Sequence, residues 1–200
     1  MRKTILTMAL LLLVAVTAGA QTAQQVLDKC VKAVSVDAGV SANFTMTSAQ
    51  YGDAQGTIAI KGKKFHMTSN VSNMWFDGQT LWTYMAKNEE VNISTPTQQQ
   101  LQSLNPYNFI GLYKQGYQST MTTSASAFNV HLTSTNAAHK IKEAFLTIDK
   151  TSYQPREIKL LQGTKWTTFT VSGLKKTALA DSEFRFNSSA YPDAEIIDLR

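Results

Sequence analysis

The side chains in this chain best suited to nucleophilic or metal chemistry are three histidines and one cysteine, and their spacing serves neither purpose. His66, His131 and His139 are scattered, with no second ligand at the helical or strand interval that a metal site requires. His66 alternates with Phe65 and Met67 and is expected to face water. Cys30 has no histidine or asparagine partner in a recognisable local context, and no Gly-x-Ser-x-Gly elbow, phosphate loop or dinucleotide fingerprint is present. Asp28, Asp37, Asp53, Glu89, Glu90 and Glu143 fall in expected turns or on polar helix faces, where solvated charge is the ordinary state. The reading is a protein that is not an enzyme, with no catalytic residue, metal or cofactor, whose work falls to its apolar residues.

The first twenty residues have the three parts of a secretory leader: Arg2 and Lys3, an apolar run from Ile5 to Val16, and the small residues Ala18, Gly19 and Ala20. Cleavage is expected before Gln21, giving an exported protein. The apolar run is shorter than the roughly 20 residues a membrane-crossing helix needs. Gln21 stands where an exported lipoprotein would carry its lipidated cysteine, so no acyl anchor is expected. The remainder, 21–200, suits one domain. Removing Arg2 and Lys3 takes the formal charge from +5 to +3, too modest an excess to call for nucleic acid. A single cysteine forms no internal disulfide, so the domain must be held by packing.

Thr22 and Gln25 form a capping box ahead of a helix whose stripe is Val26, Leu27, Cys30, Val31 and Val34. Cys30 lies inside that stripe and reads as a small core residue. Period-two alternation then takes over, in Val40, Ala42, Phe44 and Met46, in Ile58 and Ile60, and in Phe65 and Met67. Asp77-Gly78 marks a hairpin between Met74-Trp75-Phe76 and the strand Thr80 to Met85, and Glu90 to Ser94 follows. Thr95, Pro96 and Gln98 predict the start of a short helix running to about Leu104. Asn105-Pro106 predicts the start of a second. No charged residue lies between Glu90 and Lys114, so these helices should cover something apolar. Strands are expected again at Gln118 to Thr123, Phe128 to Thr133, Ala144 to Asp149, Arg156 to Leu161, Lys165 to Ser172 and Glu183 to Phe186. The fold class is mainly β: one strongly curved antiparallel sheet of about ten or eleven strands, with short helices on its concave side as plug and lid.

The strand Ala42-Asn43-Phe44-Thr45, the run Gly56-Thr57-Ile58-Ala59-Ile60 leading to Lys64-Phe65, and above all Asp77-Gly78-Gln79-Thr80-Leu81-Trp82-Thr83-Tyr84 resemble the LolA family of periplasmic lipoprotein carriers. The last stretch matches the family's DGxxLWxY signature. Phe184-Arg185-Phe186, Tyr191-Pro192 and the closing Ala194 to Asp198 are similar to the way such carriers end. The resemblance implies an incomplete β-barrel capped by short helices. It implies a monomeric carrier of acylated lipoproteins, loaded by an inner-membrane lipoprotein-releasing transporter and unloaded to an outer-membrane acceptor. Well-studied members latch the lid with an arginine in the early strands; this sequence has no arginine between Arg2 and Arg156, and Lys61, Lys63 and Lys64 lack a guanidinium's planar fork.

On that reading the cavity wall is assigned to Phe44, Met46, Ile58, Ile60, Phe65, Met67, Trp75, Trp82 and Tyr84, and the lid to Leu101, Leu104, Phe109, Ile110 and Leu112. Met46, Met67, Met74, Met85 and Met121 supply side chains that repack around acyl chains of different shape. Alternation alone fits a closed core equally well. Two other functions are weighed: a lipid-sensing regulatory module on the same half-barrel, and an enzyme acting on envelope lipids or glycans, which the scattered titratable residues disfavour.

Overall fold

In a computed structural model, which describes residues 21–35, 37–97, 100–101 and 106–200, helix α1 spans Ala23–Val34. Its capping box forms as the sequence requires: the Gln25 amide donates to Thr22 Oγ1 at 3.2 Å, and the Thr22 amide donates to Gln25 Oε1 at 3.0 Å. The helix buries Val26, Leu27, Cys30 and Val34.

Twelve strands follow: β1 (Val40–Ser48), β2 (Ala54–Lys61), β3 (Lys64–Ser69), β4 (Ser72–Phe76), β5 (Leu81–Met85), β6 (Glu90–Ser94), β7 (Tyr117–Thr123), β8 (Ala127–Ser134), β9 (Ile141–Asp149), β10 (Pro155–Gln162), β11 (Lys165–Lys176) and β12 (Glu195–Asp198). They form one sheet in the order β12-β6-β5-β4-β3-β2-β1-β11-β10-β9-β8-β7. Every pairing is antiparallel except β12 on β6, which is parallel. Two meanders, β1 to β6 and β7 to β11, are thus joined along β1 and β11.

This order explains the uncharged middle of the chain. β6 and β7 lie toward opposite edges of the sheet, so the segment joining them has to cross it. The crossing includes a 3-10 helix at Pro106–Lys114, in which Tyr107, Phe109, Ile110, Leu112 and Tyr113 are buried against the sheet and α1. A charged residue along this path would lose its hydration without a partner.

Three local expectations are corrected. The helix expected from Thr95 is capped two residues later, where Thr97 Oγ1 accepts from the Gln100 amide at 3.3 Å and Gln100 Oε1 accepts from the Thr97 amide at 2.8 Å. Gln98 lies outside the described residues. The strand expected at Glu183 to Phe186 is instead a 3-10 turn, Asp181–Phe184, that seats Phe184 in the interior. The count of strands rises to twelve because the closing residues pair on the β6 edge. The Asp77-Gly78 hairpin stands as expected: Asp77 Oδ1 accepts from the Gln79 and Thr80 amides at 3.0 and 2.9 Å, and Gly78 takes a φ of 102° that a larger residue disfavours.

Candidate binding cavity

Cross-strand partners share a face, so the register sorts the strand residues without ambiguity. Met46 pairs with Ala54 and Phe169, Ile58 with Ala42 and Met67, and Met67 with Met74. Those residues point to the concave side, toward the crossing segment. Between them lies a cavity of about 650 Å³, lined among others by Phe44, Met46, Met67, Met74, Met85 and Phe169. That volume falls in the range of about 300 to 1,000 Å³ typical of small-molecule sites. Tyr51 and Val71 also line it and are exposed, so it opens at the turns joining β1 to β2 and β3 to β4.

Of the nine wall residues assigned from sequence, Phe44, Met46 and Met67 line the cavity. Ile58, Ile60 and Phe65 share the same face but are buried in the apolar cluster that includes the α1 stripe. Trp75, Trp82 and Tyr84 are corrected: they point to the opposite face. Trp75 pairs with His66 and Trp82, and Tyr84 pairs with Asn73 and Val91, all on the convex side. There the C-terminal segment covers Trp75 and Tyr84. Tyr191 lies 5.6 Å from the Trp75 ring and 4.6 Å from the Tyr84 ring, and Phe186 lies 5.5 Å from Trp75. His66 is also corrected: it is half-buried, stacked on Trp75 at 5.1 Å, and burial lowers its pKa.

Among the lid assignments, Phe109 reaches the cavity from the crossing segment. Ile110 and Leu112 are buried in the core cluster, and Leu101 packs partly buried against it. Leu104 lies outside the described residues. Sequence reasoning missed Leu81, Leu160 and Phe169 in the lining; Met74 and Met85 were read only as adaptable methionines. Met121 packs against the core instead of lining the cavity.

The crossing segment is tied to α1 by polar contacts. Tyr113 donates from its hydroxyl to Asp28 Oδ1, and Lys114 Nζ lies 3.5 Å from the same oxygen. The Tyr113 bond, then Lys114, hold the Asp28 carboxyl below its usual range, although desolvation opposes them. On the next residue of α1, Lys29 Nζ donates to the Tyr153 hydroxyl at 3.2 Å and sits 4.6 Å over that ring.

A family model described as outer membrane lipoprotein carrier protein LolA matches residues 13–164. The chain belongs to the LolA family. Its fold is shared with an uncharacterized conserved protein from Thermus thermophilus, at 14% identity and a TM-score of 0.60, over 88% of this chain and 98% of that one. A LolA superfamily protein from Nitrosomonas europaea superposes with a TM-score of 0.44 at 12% identity, over 82% of this chain and 98% of that chain. A putative outer membrane lipoprotein-sorting protein domain from Vibrio parahaemolyticus gives 0.43 at 13% identity, over 82% and 96%. No curated protein matches the sequence. Among the described residues of this LolA family member, no helix is long and apolar enough to cross a membrane.

Proposed function

We propose that this protein is exported by residues 1–20, released before Gln21, and carries acylated lipoproteins across the periplasm with their acyl chains in the cavity. It takes them from an inner-membrane lipoprotein-releasing transporter and gives them to an outer-membrane acceptor. The observation that carries the reading is the wall itself: four methionines, Met46, Met67, Met74 and Met85, and the rings of Phe44, Phe109 and Phe169 surround an open space. Keeping each methylene out of water is worth about 0.8 kcal/mol, so one exposed acyl chain would cost on the order of 10 kcal/mol. A bilayer is about as apolar as such a wall, so handing the chain back is nearly balanced. Methionine suits that balance because its unbranched thioether repacks without fixing one ligand shape.

Native mass spectrometry of the purified protein tests the reading, followed by incubation with lipoprotein-loaded inner-membrane vesicles carrying the transporter. The expected result is retained lipid and a soluble lipoprotein complex. Failure on both counts overturns it.

A further inference from the structure

We propose that the cavity takes an anionic lipid, an acyl chain with a negatively charged head, and that Lys140, Gln162 and Lys165 hold the head at the open end. The proposal rests on the carrier reading, because it needs acyl chains to enter the cavity, and it adds the class of headgroup.

The charge of the lining carries it. Among the described residues that border the cavity, Lys140 alone is charged; the others are apolar, hydroxyl or amide side chains. Lys61, Lys64, Lys114 and Lys159 each lie beside a carboxylate. Among the described residues, no ion pair engages Lys140. A lysine at such a place lays its methylene stem along an apolar wall and keeps its ammonium at the water boundary.

The register supplies two further donors. Leu160 and Thr167 face each other across β10 and β11 and both line the cavity, so the next pair on that face, Gln162 and Lys165, also points to the concave side. Gln162 lies opposite Ile141 on β9, and Lys140 directly precedes that strand. Three neighbouring strands thus bring Lys140, Gln162 and Lys165 to one rim of the opening. Both lysines are exposed, and no ion pair among the described residues engages Lys165 either. Tyr51, itself in the lining, donates from its hydroxyl to Gln162 Oε1 at 3.3 Å. That contact occupies the glutamine's acceptor and leaves its amide N–H groups to donate. An acid on the same face, Glu90 opposite Met85, begins β6, six strands along the sheet from β11.

Two ammonium groups and an amide donor at the edge of an apolar space match a head that accepts hydrogen bonds and carries negative charge. An uncharged head gains no charge-assisted bond there. A small anion without a chain leaves the methionine and phenylalanine wall unused.

Three lipids that share one palmitoyl-glycerol unit test this by competition in native mass spectrometry of the purified protein, below the concentration at which they form micelles. They are anionic lysophosphatidylglycerol, zwitterionic lysophosphatidylcholine and uncharged 1-palmitoylglycerol. The anionic lipid should outcompete the other two by about tenfold, with the margin shrinking as salt rises. Lys140→Gln combined with Lys165→Gln should abolish the margin. Lys142→Gln, which removes a lysine that donates instead to the Ala137 carbonyl, should preserve it. Glycerol 3-phosphate, the charged head without a chain, should not displace the lipid. Equal binding of all three lipids, or a margin that survives in the double variant, overturns the proposal and leaves the carrier reading standing. Displacement by glycerol 3-phosphate overturns it in favour of a small-anion site. Binding of none of the three removes the acyl cavity on which both readings depend.

Discussion

Phe109 and Phe169 face one another inside the curved sheet, their ring centroids 6.2 Å apart and their planes inclined by 32°. One ring comes from the crossing segment and the other from β11, and both border the cavity. Phe109→Glu places a carboxylate at that contact, and Met67→Glu places one on the wall away from the crossing segment. Each should cut lipid capture by about tenfold or more, because an unpaired charge facing an acyl chain is costly. Met67 is only half-buried beside open space, so that variant keeps its fold. Lipid retained per protein in native mass spectra, read beside urea melts, checks both. Normal capture by a folded Met67→Glu would remove this face from the binding site.

Cys30 offers a probe of α1 as the plug. It is fully buried, and burial pushes its thiol up to about 12, against about 8.5 for a free cysteine. At pH 8 the native protein should react with a thiol reagent at least about a hundredfold more slowly than the urea-unfolded chain. A comparable rate in both states would mean that α1 leaves the sheet readily.

The sequence carried the α1 capping box, the Asp77-Gly78 turn and the location of most strands, because each depends on residues close together in the chain. It did not carry the face of β4 and β5. Met74, Trp75 and Phe76 are apolar in succession, as are Leu81 and Trp82, so period two has no polar partner from which to set its phase. Both sides of these strands are covered, one by the cavity residues and the core, the other by Phe186 and Tyr191. That second cover comes from about a hundred residues later in the chain, a contact that no local pattern announces. Likewise, Phe169 and Leu160 join the cavity only because β1 pairs with β11.

The convex cover gives a separate prediction. Tyr191→Ala removes ring contacts to Trp75, Tyr84 and Phe186, and with them the bond that Asn73 Nδ2 donates to the Tyr191 hydroxyl at 3.0 Å. A loss of about 2 to 4 kcal/mol in unfolding free energy is expected, with lipid capture unchanged in the protein that stays folded. A selective loss of capture would place Trp75 and Tyr84 in the binding function after all.

Acid should weaken the fold through Asp149. Its carboxylate accepts from the Ser152 and Thr151 amides and pairs with Arg156, and these bonds, the Ser152 amide foremost, hold its pKa at about 2 against the ordinary 3.8. A depressed carboxylate stabilises the native state above its unfolded pKa, and that contribution is lost as pH falls through the folded value. The Asp149 contribution is therefore complete above about pH 4 and disappears toward pH 2. Asp28 acts in the same direction at the α1 clasp. Asp149→Asn should lower the melting temperature at neutral pH and flatten its decline between about pH 4 and pH 2. A parallel curve in the variant would assign the acid sensitivity elsewhere.

Gly56 sets how closely β2 and β3 approach. It sits opposite Phe44 on one side and Ser69 on the other. A Cβ there would overlap the Thr68 carbonyl oxygen and come within 2.8 Å of the Ser69 Cα, so the obstacle is backbone and cannot turn aside as a side-chain tip would. Gly56→Ala must separate β2 from β3, stretching the ladder that brings Ile58 beside Met67. A destabilisation above about 3 kcal/mol is expected in chemical unfolding, at the severe end for a single methyl group. Gly52, at the exposed turn before β2, has open space where its Cβ would be but a φ of 78°, so Gly52→Ala should cost only about 1 kcal/mol of backbone strain. If the two variants unfold alike, close packing at Gly56 is not what fixes the strand spacing beside the cavity.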